Sequence, residues 1–258
     1  MVNILNDFKK NNIDILKEHI NEMYSKKPVY SNYFNQNISS DDIFYKADNS
    51  LIIIKVNDNY NRVYILSNDS NEIVHMLKSL KGINIVNIPS KNDISDWTKI
   101  MVAANFKLFA VYERFFNIKI KKYCNTDTII YAKPNQEKEI YNLFHKTSFF
   151  SPYTDYLPSR LELMQLIKQN QIIVNVHEGI VTGAFIFSEE GLKFYLRAWY
   201  DENNSGIKLL WEVYSIMYDK GLKYAYFWIN SENNNVKSIH KYLGAKPDGL
   251  KDYTFIKQ

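Results

Sequence analysis

The sequence predicts a mixed α/β (α+β) protein of two similar halves, each with a mostly antiparallel mixed sheet flanked by helices. Three observations lead to this prediction. The 258 residues are 46% hydrophobic and 23% charged, which suits a folded protein of one large or two small cores. Apolar residues recur at helical spacing in some segments and alternate in others. The order of these segments in the second half repeats the order in the first.

The first half is predicted to open with one or two helices over residues 3–25, where apolar residues recur near helical spacing. Turns rich in Asn and Asp then separate short strands from helices. Helices are predicted at 71–80 and 96–104, one before each of the last two strands. The predicted strands read DDIFYKA, LIIIKV, RVYILS, INIVNI and KLFAVYERF.

The second half repeats this layout after the lysine-rich connector NIKIKKYCNTD. Its predicted helices are QEKEIYNLFHKT, RLELMQLIKQN, 207–220 and 234–242, and its predicted strands are TIIYAKP, QIIVNVHEG, IVTGAFIFSEEG, LKFYLRAWY, LKYAYFWI and DYTFIK. The repeated order predicts two domains, residues 1–120 and 126–258.

Composition excludes several classes of protein. The net charge is 32 − 28 = +4 and the chain has only four arginines, so no nucleic-acid partner is expected. A single cysteine cannot form an internal disulfide, and the histidines lack metal-binding spacing, so we expect no metal. No apolar run approaches the roughly 18 residues of a membrane span, and no signal peptide is evident. We therefore expect a cytoplasmic protein without a membrane partner.

The most informative segment is 192–249. The strand LKFYLRAWY ends at DENNSG, and a helix with apolar residues on one face follows. Backbone N–H groups at such a helix start can hold an anion, although a plain connector gives the same pattern. Gly206 is followed fifteen residues later by Gly221, then by the strand KYAYFWI and the stretch NSENNNVKSIHKYLGA.

With this spacing, residues 128–258 resemble the GNAT superfamily of acyl-CoA-dependent N-acyltransferases. Their signature is a strand, a loop Arg/Gln-x-x-Gly-x-Gly/Ala opening a helix, a second strand, and Asn-x-x-Ala leading to Tyr-x-x-x-Gly-Phe. The stretch FWINSENNNVKSIHKYLGA fits the last part without insertion. The first half, whose corresponding turn SNDSN lacks glycine, would be a degenerate copy that binds no coenzyme. The resemblance thus implies tandem GNAT-like domains.

The resemblance further implies a transfer of an acyl group, with acetyl expected, from acyl-CoA to the amine of a small molecule or peptide. In the family, the loop holds the pyrophosphate and the preceding strand pairs with the pantetheine arm. Two positions depart from the signature: Asp201 replaces Arg/Gln and Asn204 replaces the first Gly. A carboxylate about 6 Å from the pyrophosphate would cost about 1–3 kcal/mol, partly offset by Lys208. The implied cofactor-binding residues are Leu196, Ala198, Trp199, Asn203, Asn204, Ser205, Gly206, Ile207, Lys208 and Asn233.

His240 stands where the family has the tyrosine that protonates the departing thiolate. An imidazole can donate a proton at neutral pH. Tyr242 is a second candidate acid, and an ordinary surface histidine is the alternative interpretation of His240. No general base is evident on the strands.

The substrate-binding candidates are aromatic residues and one arginine. Arg197, in the middle of a strand, either binds a substrate carboxylate or forms an internal ion pair. The segment 149–160, with Tyr153, Tyr156 and two prolines, is either a stiff lid over the acceptor or a simple surface loop. Trp228, on a predicted strand, is the fourth substrate-binding candidate.

Two other functions fit the same sequence. One is a catalytically silent GNAT-fold module that senses a ligand or binds a partner. The other is an acyl or aminoacyl transferase that takes its donor from a carrier protein or a tRNA. The altered loop keeps the silent module open, and binding of acetyl-CoA would separate it from the enzyme.

Overall fold

The computed structural model describes residues 13–34, 37–39, 41–57, 59–147, 149–203 and 206–258, so predictions for residues 3–12, Asn204 and Ser205 lie outside the described residues. The predicted mixed α/β class is confirmed. The predicted strand TIIYAKP is not a strand: a single bridge joins Tyr131 to Ile173, between two short 3-10 turns. Lys133-Pro134 explains this, because proline lacks the N–H that a continuing ladder requires.

The chain divides into two compact units, residues 1–112 with 250–258, and residues 113–249. Among its described residues, the first unit contains three helices and five short strands, and two further strands are shared with the second unit. The helices are α1 (Ile13–Ser25), α2 (Ser70–Ser79) and α3 (Ser95–Ala103). The strands are β1 (Tyr30–Ser31), β2 (Ile43–Lys46), β3 (Ser50–Val56), β4 (Asn61–Ser67) and β5 (Asn84–Ser90), and β6 (Lys107–Asn117) runs from the first unit into the second.

In the second unit, the part of the chain that the structure describes forms four α-helices and four complete strands. The helices are α4 (Glu137–His145), α5 (Arg160–Lys168), α6 (Gly206–Asp219) and α7 (Asn234–Tyr242). The strands are β7 (Ile172–His177), β8 (Ile180–Glu190), β9 (Lys193–Asp201) and β10 (Tyr224–Asn230), and β11 (Lys246–Lys257) starts in this unit and finishes in the first.

Each unit contains one strand segment from the other half of the sequence. In the first unit the strand order is β2-β3-β4-β5-β11, and residues 251–257 of β11 pair antiparallel with β5. In the second unit the order is β6-β10-β9-β8-β7. The predicted domain 126–258 differs from this division, since its last nine residues lie in the first unit. The sequence shows a strand at DYTFIK but carries no signal for which strand it joins.

Both sheets bury one face against helices that follow the parallel strands. In the first unit the side chains of Val63 and Ile65 pack with α2 and α3, while Leu66 packs on the other face with α1. In the second unit Leu196 and Phe227 pack with α6, while Ala198 packs with α4 and α5. In the first unit this alternation is the period of two expected of a strand covered on both faces. In the second unit Leu196 and Ala198 are two residues apart and face opposite sides, because the register of β9 shifts between them.

Candidate active site

The second unit has a gap between two parallel strands. Strands β9 and β10 pair only from Lys193–Tyr224 to Tyr195–Tyr226. Beyond Tyr195, β9 keeps its partner β8 on the opposite edge as far as Asp201. The register between β8 and β9 shifts at Ile186/Phe187, where Arg197 is the extra residue of a β-bulge. The edge of β9 that faces β10 therefore has no described strand partner after Tyr195, and its backbone groups are available to a ligand.

Helix α6 begins just after the end of β9. At its first residue, a Cβ built on Gly206 would lie 2.5 Å from the Trp199 ring. The Trp199 ring itself stacks on Phe185, with ring centroids 6.1 Å apart. Position 206 must therefore be glycine, and the first-turn N–H groups of α6, which have no acceptor within the helix, lie at the end of the gap.

The Asp201 carboxylate points into the second unit. It accepts hydrogen bonds from the backbone N–H of Asn203 at 2.8 Å and from the Asn175 side chain at 2.7 Å. Gly183, opposite on β8, makes room for it, because any Cβ there would collide with the carboxylate. The carboxylate thus shapes the turn as a buried acceptor, and the repulsion of a pyrophosphate by Asp201 stays a prediction.

One face of β9 and β10, opposite α6, carries stacked tyrosines; we name it the tyrosine face and define it by Tyr195, Arg197, Tyr226 and Trp228. The rings of Tyr195 and Tyr226 are stacked 4.8 Å apart at the last paired position of the two strands. Burial raises the pKa of Tyr195, so its hydroxyl stays protonated.

Arg197 forms an internal ion pair. Its guanidinium lies 3.4 Å from the Glu162 carboxylate on α5 and donates to the Ser188 hydroxyl at 3.1 Å. It also lies over the rings of Tyr156 and Tyr195, at 5.0 and 5.6 Å. Of the two interpretations of Arg197, the ion pair is the one present.

The segment 149–160 brings Tyr156 to the same place. The Tyr156 hydroxyl donates to Glu162 at 2.5 Å, and burial, together with that carboxylate, raises the tyrosine pKa. Trp228 lies on the tyrosine face beneath Arg114, whose guanidinium binds Asp248 through two nitrogens. Tyr153 is half-buried in the same segment. Tyr156, Arg197 and Glu162 thus come together in direct contact.

His240 is buried, which contradicts the interpretation as an ordinary surface histidine. Its ring is 2% exposed, lies 4.1 Å from the Phe227 ring, and leaves Nδ1 without a hydrogen-bond partner. Burial lowers the pKa of His240 to about 3, so the ring is neutral at pH 7 and holds no imidazolium proton to donate. Tyr242 is 86% exposed. The apolar residues around position 240 indicate that this part of α7 is packed against the core. The direction of the His240 side chain itself is seen only in the structure.

The remaining predicted residues serve the ends of helices. Asn233 caps α7, since its side-chain oxygen accepts the Val236 N–H at 3.1 Å. Lys208 is exposed and lies 3.6 Å from Glu212 one turn later in α6. Ile207 is partly exposed beside it. Of the predicted loop, only Asn203 and Gly206 to Lys208 can be placed.

Glu162 is the acid that sequence analysis missed. Its pattern, Ser159-x-x-Glu162, is typical of a capping box, in which the glutamate binds back to the cap backbone. The Ser159 hydroxyl does accept the Glu162 N–H at 3.2 Å, but the carboxylate goes to Tyr156 and Arg197. Only the contact with Arg197 at the β9 bulge shows that the Glu162 carboxylate belongs to the candidate site.

Within the described residues, no three His, Cys, Asp or Glu side chains are grouped as metal ligands would be. The helices among those residues are too short or too polar to cross a membrane.

No protein-family model and no curated protein matches the sequence. Solved structures do match. A GCN5-related N-acetyltransferase from Sphaerobacter thermophilus superposes with a TM-score of 0.61 at 8% identity, over 86% of this chain and 82% of that one. A GNAT-family acetyltransferase from Colwellia psychrerythraea gives 0.54 at 12% identity over the whole of both chains. A tandem GNAT protein from the clavulanic acid biosynthesis pathway gives 0.54 at 8% identity, over 84% and 82%. The protein therefore has the fold of the GNAT N-acetyltransferases, with a tandem GNAT protein among its structural neighbours.

Proposed function

We propose that the protein is an N-acyltransferase that moves an acyl group, acetyl in the simplest case, from acyl-CoA to an amine, at one site in the second unit. The observation that carries this proposal is the gap between β9 and β10, which opens at Tyr195 and Tyr226 and leads to the start of α6. Such a gap offers backbone groups to an extended amide chain, and a helix start offers N–H groups to an anion.

The first unit indicates which residues of β9 and β10 bind the extended pantetheine arm. Its parallel strands β4 and β5 also separate, after Arg62 and Ile85, and an inserted side chain bonds to Val63, Ile65 and Asn87. Counting from the last paired residue, Leu196 and Trp228 correspond to Val63 and Asn87. Counting back from the strand end, Trp199 corresponds to Ile65. We assign the pantetheine amides to the backbone at Leu196, Trp199 and Trp228; Ala198 faces the core with α4 and α5.

The pyrophosphate belongs at the first turn of α6. Gly206, Ile207 and Lys208 contain no acidic residue, so the N-terminal end of the helix keeps its partial positive charge. The Lys208 side chain is exposed and adds a positive charge, which Glu212 at 3.6 Å balances in part. The Asp201 carboxylate opposes this charge in part and is held by Asn175 and the Asn203 N–H.

The acceptor amine approaches on the tyrosine face. Its nitrogen attacks the thioester carbonyl, the C–N bond forms, the C–S bond breaks, and the coenzyme leaves as a thiolate. We assign Glu162 as the base that takes the proton lost by the amine, since it is the carboxylate beside Arg197 at the bulge. The thiolate then takes a proton from water, because neutral His240 supplies none.

Binding of acetyl-CoA tests the proposal, with Lys208→Glu as the variant. Reversing this charge should weaken binding about 10-fold, from the loss of attraction and the new repulsion near the helix start. Lys138→Glu is the matched control, since Lys138 is exposed in the first turn of α4. Calorimetry measures both.

Equal weakening by the two variants would mean that charge acts only at long range and would contradict the assigned pyrophosphate position. Absence of acetyl-CoA binding in the unmodified protein would favour the silent module. Binding without transfer to any of a panel of amines would also contradict the proposed enzyme.

A further inference from the structure

We propose that the first unit carries a built-in occupant of its own cofactor gap: residues 29–33 and the Asp69 carboxylate fill the two places that acyl-CoA would take, so this unit is permanently closed. The inference depends on contacts within the first unit alone. The occupied gap would explain why the first of two similar units binds no nucleotide cofactor.

The inserted segment lies on the edge of β4 that β5 has left. Strand β3 pairs with β4 over its whole length, from Ser50–Ser67 to Val56–Asn61, so that edge is taken. Strand β5 pairs with β4 only at Asn61 and Arg62. Strand β1 pairs with Ser67 and Leu66 at the far end of β4, antiparallel to it. It must therefore lie on the same edge as β5, inside the gap.

Asn32 closes the rest of the gap. It is 3% exposed, and its backbone N–H donates to the Ile65 carbonyl at 3.2 Å. Its side-chain oxygen accepts the Ile65 N–H at 2.6 Å. Its side-chain nitrogen donates to the carbonyls of Val63 at 3.1 Å and Asn87 at 2.9 Å. One side chain thus joins both strands where their direct pairing has ended, and it uses both of its N–H donors to do so.

The helix start beside the gap is also occupied. The Asp69 carboxylate accepts the N–H groups of Asn71 and Glu72, at 2.8 and 3.2 Å. An anion is the natural partner of these groups, and here the chain provides it. Asn68 fixes the entry of the segment, accepting the Val29 N–H at 2.9 Å and donating to the Lys26 carbonyl at 3.2 Å.

Hydrogen exchange on the intact protein, without ligand, tests the inference. The Ile65 amide should exchange at least about 100-fold more slowly than those amides of 196–199 on β9 that point away from β8, because only the first is bonded across its gap. Comparable exchange at both places would overturn the inference. A protected Ile65 with no protection of β9 after adding acetyl-CoA would leave the inference standing and count against the proposed function.

Asn32→Ala provides the second arm. Removing the side chain leaves one N–H and two carbonyls unbonded, so Tm should fall by about 5 °C or more, and exchange at Ile65 should accelerate. Asn92→Ala is the control, since Asn92 is exposed and only its backbone is bonded. If Asn32→Ala does not fold, Asn32→Asp removes the two donors without changing size. Unchanged Tm and unchanged Ile65 exchange in the variant would overturn the inference.

Discussion

The two parallel strand pairs differ in what lies between the strands. Both pairs begin in register and then separate, at Arg62 in the first unit and at Tyr195 in the second. In the first unit the chain fills the gap with β1 and Asn32, and Asp69 caps the helix. In the second unit the edge of β9 that faces β10 has no described strand partner after Tyr195, and α6 starts at a glycine. The same strand geometry therefore makes a closed structural unit in one half and a candidate binding site in the other.

The turns that follow these strands sharpen the comparison. The Ser67 hydroxyl accepts the N–H of Asp69, two residues on, at 2.9 Å. The Asp201 carboxylate accepts the N–H of Asn203, also two residues on, at 2.8 Å. Both turns are therefore held by a polar side chain at the strand end. The first helical residues differ: α2 begins at Ser70, whereas α6 begins at Gly206, which is packed on Trp199.

The largest expected effect comes from Gly206→Ala. In an unobstructed helix this change would stabilise by up to about 1 kcal/mol. Here the new methyl group collides with the Trp199 ring, so we expect a loss of about 2–4 kcal/mol. Urea unfolding of the single variants, of Trp199→Ala and of the double variant measures the coupling between the two sites. Additive losses would show that the ring does not restrict residue 206.

Glu162→Gln should lower turnover by about 100-fold or more while leaving acetyl-CoA affinity unchanged, because it removes the proposed base and keeps the side-chain shape. Steady-state kinetics and calorimetry separate the two quantities. Glu137→Gln is the control, since Glu137 binds Arg160 in the same helical layer and has no proposed catalytic part. An equal loss of turnover in both variants would point to a structural cause.

A smaller effect, on the pH dependence of the free energy of unfolding, is expected from His240. Above pH 6.5, its usual pKa, the ring is mostly neutral in both the folded and the unfolded chain. Between pH 6.5 and about 3, only the unfolded chain binds the proton, so stability falls as pH falls, by up to about 1.4 kcal/mol per pH unit. Comparing denaturant unfolding at pH 7 and pH 5 for the unmodified protein and His240→Phe measures this slope. The same slope in both would mean that the imidazole is accessible to protons when folded.

Much of the fold was predictable because it follows from periodicity. The alternating segments and the helices that end at Asn- and Gly-containing turns are local patterns, and the resemblance to GNAT proteins rests on spacing between them. The two-residue strand β1 is too short to produce a period, and the joining of β11 to β5 depends on distant residues. Neither could be read from the chain.

The site was less predictable for a related reason. The residues of the gap contribute backbone groups, so only their position along β9 identifies them. Glu162, Asp201 and His240 take their roles from neighbours far away in sequence: Arg197 at the bulge, Asn175 on β7 and Phe227 on β10. Sequence gives the residue types, but burial and pairing decide which of them is an acid, an acceptor or part of the core.

The most direct test of the central difference between the two units is the stoichiometry of acetyl-CoA binding, measured on the intact chain by calorimetry and native mass spectrometry. An open gap in the second unit and an occupied gap in the first predict one molecule per chain. Binding of two molecules per chain, or binding of one that protects the amides of β4 rather than those of β9 from exchange, would contradict this account.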